Sequence, residues 1–325
     1  CVLPTRNARN VQLFTAVRRG FRAPHATDFS SVGLTSNGFE VAPDTALRPE
    51  SLGTYETGLK LHSRRVTSEV SYFVSGIHDF ITKRPLILPL GAVGGTIGGE
   101  RIIFQDPTQG WVRVAVDGRP VVTRANVGEI RIAGIETSQR LRLSSDWTLE
   151  GNFFRLRGRD RATSAPPELE GGLPPATAHA SLRYHPGSRW WLEAASNVAW
   201  RQDRLSSLEL ADQRIGASRT RAGIANYFNN GARARGLVAG GILLATGETL
   251  AQVQDRVLGP GVASAVWHRS TPGYAIFHLR AGVQLSERST LGLLVENVLD
   301  RNYRTHGSGI DGAGRHVQLR YTVRF

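Results

Sequence analysis

Cysteine, methionine and lysine are nearly missing from this chain, and each scarcity excludes something. The single cysteine, Cys1, rules out a disulfide framework and any Cys-rich zinc site. The longest uncharged apolar stretches, 85–99 and 236–247, fall short of the roughly 20 residues a spanning helix needs, and glycine or proline breaks both. A helical membrane protein is therefore excluded. No charged n-region followed by an apolar h-region stands at the head, so no signal peptide is visible. Cys1 in first position fits the lipidated residue of a lipoprotein, yet the chain runs into Val2-Leu3-Pro4-Thr5 and a strand without a polar tether. The expectation is a segment that begins within a longer protein. Lys60 and Lys83 are the only lysines among 40 basic residues, which face 27 acidic ones for a net charge of +13. The arginine excess fits phosphate recognition by guanidinium forks, or simply a compositional habit of the source genome.

What is present is alternation. From 317 to 325, Val317, Leu319, Tyr321, Val323 and Phe325 alternate with Gln318, Arg320, Thr322 and Arg324, which gives a sheet one apolar and one polar face. Residues 275–285 repeat it, with Phe277, Leu279 and Val283 against His278, Arg280 and Gln284. So do 190–200 (Trp190, Leu192, Val198 and Trp200 against Glu193 and Asn197) and 178–184 (Leu182 and Tyr184 against His179 and Arg183). Weaker copies lie at 11–21, 66–74 and 291–299. In 124–143 the alternation changes phase around Ile132-Ala133-Gly134-Ile135, as a β-bulge would make it do. Helical spacing appears only at 247–258, where Leu250, Val253 and Val257 follow Thr246 as N-cap and precede Gly259-Pro260.

These patterns predict ten strands: 10–23, 50–61, 66–80, 124–143, 147–160, 176–185, 189–203, 272–285, 289–300 and 313–325. The connections alternate without exception. Segments 24–49, 81–123, 161–175, 204–271 and 301–312 are long, whereas 62–65, 144–146, 186–188 and 286–288 are short and carry turn chemistry such as Ser144-Ser145-Asp146 and Pro186-Gly187-Ser188. A soluble sandwich has no reason to put every long loop at one end. An up-and-down β-barrel crossing an outer membrane does, with short periplasmic turns and long external loops. The fold class is thus all-β, a transmembrane antiparallel barrel wall. Trp147, Tyr184, Trp190, Trp200, Tyr274, Tyr321 and Phe325 near strand ends suit interfacial girdles.

Four segments in order resemble the TonB-dependent outer-membrane receptors. RRGFRAP (18–24) is similar to the strand end that opens a long external loop. LRPESLGTYETGLK (47–60) is similar to the next, descending strand, and NVGEIRIAGIE (126–136) to a strand with a Gly-Ile-Glu element. ENVLDRNYRTHGSGIDGAGRHVQLRYTVRF (296–325) resembles the family's ending, with its Asn-Leu-x-Asp-x-x-Tyr hairpin, glycine-rich loop and terminal aromatic Phe325. The resemblance implies the C-terminal portion of a 22-stranded barrel, residues 1–325 being barrel only, with signal peptide, TonB box, plug and first strands absent. It further implies a receptor for a scarce nutrient, foremost a ferric siderophore, with haem or cobalamin as alternatives. The implied partners are the TonB complex (through the missing plug), outer-membrane lipid and lipopolysaccharide, and the barrel assembly machinery. No cofactor and no nucleic acid are expected, nor covalent chemistry.

Candidate ligand contacts then lie in the long loops. Segment 204–271 carries eight arginines, among them Arg214, Arg219, Arg221 and Arg233, together with Tyr227, Phe228, Trp267 and His268. Such a surface suits an anionic, partly aromatic chelate through charge and cation–π contact, or equally a solvated loop touching lipopolysaccharide. Arg22 and His25 stand at the mouth of the first loop, and His306 in the last. For haem, His25 follows Pro24 at once, and Pro43-Asp44-Thr45-Ala46-Leu47 replaces the expected box. His179, His278 and His316 fall on the polar face and read as wall residues.

Two rival classes remain. A ten-stranded outer-membrane protease would use groups such as His25, Asp28, Asp44 and Asp106, but no Asp/His spacing suits that mechanism. An arginine-rich nucleic-acid binder would cluster its charge on one face, whereas here it alternates into lumen and loops. The inward set predicted for the last strands and their neighbours is polar and net positive: Arg183, Arg280, Arg320 and Arg324 against Glu193 and Glu296. That favours an open half-barrel, with strands 10–23 and 313–325 both unpaired at its edges.

Overall fold

The computed structural model describes every residue except 1, 6–8, 36–37, 44–45, 117, 119, 170, 188, 213–217 and 267. Cys1, Asp44, Thr45, Ser188, Arg214 and Trp267 therefore lie outside the described residues. Eleven strands run in unbroken sequence order through one antiparallel sheet: β1 (Val2–Thr5), β2 (Arg9–Arg22), β3 (Glu50–His62), β4 (Val66–Pro85), β5 (Val121–Arg142), β6 (Trp147–Asp160), β7 (Thr177–Tyr184), β8 (Trp190–Ala199), β9 (Tyr274–Ser286), β10 (Ser289–Glu296) and β11 (His316–Val323). This meander is the up-and-down wall expected, and each predicted strand has its counterpart.

The wall is open. Among the described residues no pairing joins β1 or β2 to β11. One expectation is corrected here: strand 10–23 is not an unpaired edge, because Val2–Thr5 pairs with it from Val2↔Gln12 to Thr5↔Arg9. The edges are β1 and β11. The phase change near Ile132–Ile135 is also no bulge, since β5 keeps constant register with β4 and with β6 throughout. Its cause is the end of the bilayer. In the lower half the outward side chains, such as Leu141 and Ile135, meet lipid. In the upper half the outward face is wetted and carries Arg131 and Glu129, while inward Ile130, only 1% exposed, packs under the loops. Among the described residues of the wall, the register shifts between Gln284 and Ser286, beside the two-residue turn to β10.

Outward positions carry the exposed apolar side chains Leu13, Val17, Tyr55, Tyr72, Leu182, Leu192, Leu279, Leu293, Val317, Leu319 and Tyr321. Of the expected girdle residues, Trp147, Tyr184, Trp190, Trp200 and Tyr321 stand on the same face; Tyr274 does not, because it pairs with Ala199 in step with His278 and Arg280 on the lumen side, where its ring lies 4.7 Å from that of Tyr303. Trp147, Tyr184 and Trp190 stack at the short-turn end, with centroids 4.6 and 5.6 Å apart, and Trp200 meets Phe153 edge-on at 5.7 Å near the other end. Tyr321 and Phe325 are exposed. On the lumen side, large aromatics lie over glycines directly opposite on the next strand. Trp191 covers Gly282, where an added Cβ would fall 2.4 Å from the indole nitrogen, and Phe73 covers Gly134, where it would fall 2.5 Å from the ring. Glycine there is required by close approach, as in other sheets where an aromatic fills the gap left beside it.

The apolar cores sit above the wall, inside the long loops. One gathers Phe39, Val41, Leu86, Ile102, Val112, Val114 and Val121, where strand Gly38–Val41 adds parallel to the start of β5. The other lies within 200–273 and joins Phe228 and Ala232 of the π-helix Tyr227–Ala232, Val238 of a small three-stranded sheet and Val253 of α4 (Leu250–Leu258), with Ile224 of α3 (Arg221–Asn226) packed against them. The predicted helix thus exists but begins later. Its N-cap is Thr249, not Thr246, because Gln252 at the third helical position completes a capping box with Thr249. Helices α1 (Ala26–Ser30) and α2 (Ser207–Ala211) lie in the loops as well.

Candidate functional site

The long-loop end of the wall forms a mouth built from three tied pieces. The first is a charge network where β2 to β5 leave the bilayer. Arg22 grips Glu50 through two bonds, 2.7 and 2.8 Å, and reaches Asp28 at 2.9 Å. Arg124 joins Asp28 at 3.1 Å to Glu40 at 2.8 Å, and Lys83 meets Glu40 at 2.9 Å. The Ile81 N–H donates to Glu50, and the His25 N–H to Asp28, at 2.7 and 2.8 Å. Among the described residues three cations meet three carboxylates, and Asp28, Glu40, Glu50 and Lys83 are buried. Burial alone would push the Asp28 carboxyl up; the His25 N–H and the Arg22 and Arg124 guanidiniums outweigh it and hold it below the usual carboxylate range. The network pins loop 23–49 to the strand ends, so Arg22 is a fastening and not a free cation.

A second piece fastens three other loops. His306, in the last loop, sits buried between Glu209 of α2 and Thr271, 2.9 Å from each. Glu209 also accepts from the Ser206 N–H at 2.7 Å, and Glu168 accepts from the N–H groups of Ser207 and Leu208 at 3.1 and 2.9 Å. Gln202 and Thr271 exchange backbone hydrogen bonds and close the base of segment 200–273. The order carboxylate–imidazole–hydroxyl is that of an acid–base relay. All three groups are buried, however, and the arrangement works as a strut.

The third piece is the lobe that this base carries. Its neck is the pairing of Ser218–Thr220 with Ser264–Val266. Arg221 is consumed at the neck: it bonds the Val262 and Gly259 carbonyls at 2.8 and 3.1 Å and pairs with Asp255. Arg256 grips Glu248 at 2.6 Å. Phe228 is buried in the lobe core, while Tyr227 and Arg233 are exposed on the same helical segment. Arg219 is half-buried in the neck, His268 is exposed beside it, and His25 is exposed ahead of α1. Of the eight residues proposed from sequence, then, Tyr227, Arg233, His25 and His268 present exposed side chains, and Arg22, Arg221 and His306 hold the loops. Asp28, Glu40, Lys83, Arg124, Glu209 and Thr271 were not foreseen as the partners that do this holding.

The lumen face below the mouth is polar and paired. Glu193 lies between Arg183 and Arg280, 2.9 Å from each, and Asn197 links His179 at 2.7 Å to His278 at 3.0 Å. Arg183 also lies over the Trp191 ring.

An open antiparallel wall, apolar outside, polar inside and looped at one end, defines part of an outer-membrane barrel. A family profile described as "TonB dependent receptor-like, beta-barrel" matches residues 6–298, and the chain belongs to that family. Its place is the outer membrane of a Gram-negative bacterium. No curated protein matches the sequence. Among solved structures it is similar to the copper transporter OprC (TM-score 0.61, 15% identity, 99% of this chain and 38% of that one). It is also similar to the siderophore receptor PirA from Acinetobacter baumannii (0.58, 14%, 100% and 40%) and to the FrpB iron transporter from Neisseria meningitidis (0.55, 14%, 100% and 38%). At such identities the likeness shows the fold. The chain spans about two fifths of the length of these proteins.

Proposed function

We infer that residues 1–325 form the C-terminal wall and outer loops of a receptor that takes up a scarce nutrient, a ferric siderophore, from outside the cell. In this reading the remainder of the receptor supplies a plug, through which the TonB complex drives release into the periplasm. The chain binds and guides; it catalyses no covalent step. The observation that carries the reading is the anchored lobe of 200–273, which is held rigidly at its base and displays Tyr227 and Arg233 outward. An exposed aromatic ring and an exposed guanidinium on one helical segment suit an anionic chelate with aromatic iron-binding arms. PirA, described as a siderophore receptor, shares the fold. Haem is the second reading, favoured only by the exposed position of His25 at the mouth.

The test uses the full-length receptor in cells. Replacing 221–263 by a short turn closes the neck hairpin and leaves the His306 strut in place. Binding of a panel of labelled ferric siderophores should fall at least about tenfold while the protein still reaches the outer membrane. Unchanged uptake of every chelate the intact receptor takes would remove the lobe from the binding site.

A further inference from the structure

The wall has a free edge above β7. Pairing of β6 with β5 runs up to Asp160, whereas its pairing with β7 stops at Phe154↔Thr177. From 155 to 160 the strand therefore has a partner strand on one side only, over a length of about 20 Å at ~3.4 Å per residue. Two bonds fix the direction of its backbone groups. The Arg161 N–H donates to the Glu129 carbonyl, toward β5, and the Asp160 N–H turns the other way, to the Ala165 carbonyl, both at 2.9 Å. By the two-residue period of a strand, the N–H and C=O groups of Leu156 and Gly158 also turn away from β5. Among the described residues no strand receives them, and the Gly158 carbonyl meets the Arg204 guanidinium at 3.3 Å.

The edge opens onto a cleft of about 540 Å³, whose far wall is built from 173–176 and 200–204. Pro174 and Pro175 stand in that wall and have no N–H to offer, so it is poorly suited to close on the edge as a strand. Among the described residues, four arginines line the cleft (Arg155, Arg157, Arg201 and Arg204) against one carboxylate, Asp203. Arg155 and Arg157 are exposed on the outward side of β6, in step with Ile135 and Ala133, and Arg201 is exposed across from them. None of these three is held in an ion pair among the described residues. At the lower end the Phe153 and Trp200 rings, 5.7 Å apart, give the cleft an apolar floor.

We propose that this cleft binds an extended acidic segment of a partner protein at the cell surface, which adds to β6 as a short strand. Backbone donors and acceptors that recur at every second residue of a free edge match the main chain of an extended peptide. Side chains of the added strand alternate between the two faces of the sheet. Those on the outward face lie beside Arg155 and Arg157, which favour Asp or Glu. Those between them point to the other face, where Leu173 lies over Gly158 and favours an apolar residue such as valine. A lipid phosphate or a sugar meets the arginines but leaves the Leu156 and Gly158 backbone without a partner. The proposal is independent of which nutrient the receptor takes up.

The experiment uses the full-length receptor in detergent and the fluorescence anisotropy of a labelled hexapeptide, Asp-Val-Asp-Val-Asp-Val. It should bind at least about tenfold more tightly than Lys-Val-Lys-Val-Lys-Val. Two further versions carry backbone N-methyl groups, one on every Asp and the other on every Val. One of them should lose about tenfold in affinity and the other should bind within about twofold of the parent, because only one alternate set of N–H groups turns toward β6. Arg155→Gln combined with Arg157→Gln should weaken the acidic peptide about tenfold, while Arg140→Gln on the lumen face should not. Two methylated peptides that behave alike, whether both bind or both fail, would overturn the proposal, and this comparison needs no altered receptor. So would equal binding of the acidic and basic peptides, or failure of the acidic peptide to bind the unmodified receptor.

Discussion

Replacing Asp28 by asparagine should loosen the first external loop without disturbing the wall. Asp28 is 3% exposed and accepts from the His25 N–H, Arg22 and Arg124 at 2.8, 2.9 and 3.1 Å. Asparagine keeps one acceptor oxygen, so at least one charge-assisted bond is lost, each contributing roughly 1.5–3 kcal/mol. Breaking a fully buried ion pair costs about 3–5 kcal/mol, but Arg22 is 35% exposed and both arginines keep a second carboxylate, Glu50 and Glu40. The expected penalty is therefore about 2 kcal/mol, borne by α1 and strand Gly38–Val41. Hydrogen exchange of 26–41 should speed up roughly thirtyfold in Asp28→Asn, with β3 and β4 unchanged. The pH dependence has a definite sign. The folded Asp28 carboxyl titrates below its ordinary value, so its contribution is complete above about pH 4 and disappears as pH falls through the folded value. Acid should accordingly open the loop of the unmodified protein, and the variant should show a smaller acid-dependent component. Identical protection of 26–41 in the two proteins at neutral pH would refute the view that this network fastens the loop.

Further outcomes follow from the two faces and from the strut. Leu319→Arg on the lipid side should impair membrane assembly, at a cost of about 2–4 kcal/mol near the bilayer midplane, whereas Gln318→Arg on the other face should be tolerated; heat-modified gel migration distinguishes them. Gly282→Val should misassemble because its Cβ has no room beside Trp191, while Gly292→Ala, whose nearest neighbour would be 3.8 Å away, should assemble normally. His306→Ala should leave Glu209 and Thr271 buried without their shared partner and cost about 1–3 kcal/mol, seen as faster proteolysis within 200–273 and unchanged assembly.

The wall was legible because its physics is local. Period-two alternation and the order of short and long connections need only neighbouring residues, and they gave ten strands their place and direction. Strand Val2–Thr5 escaped because four residues containing Pro4 show neither alternation nor length. The phase change in β5 was seen in the sequence but assigned to a bulge, since a pattern cannot tell a shifted register from a change of solvent along a straight strand. Helical spacing alone points to Thr246 as N-cap, whereas Gln252 three residues after Thr249 is the signal that the capping box makes readable. The mouth was least legible. Asp28 meets Arg124 across 96 residues and Glu209 meets His306 across 97, and no local pattern records which charge finds which. That is why Arg221 and His306 looked like ligand contacts in a list of loop cations and turned out to be fastenings.

Sidedness tests the account most directly. In the full-length receptor with every native cysteine replaced by serine, Tyr227→Cys and Ser145→Cys place single thiols on the lobe and in the turn between β5 and β6. A membrane-impermeant maleimide added to intact cells should label Tyr227→Cys and spare Ser145→Cys until the outer membrane is opened. Labelling of Ser145→Cys in intact cells, with Tyr227→Cys protected, would contradict the placement of the loops outside and the short turns within.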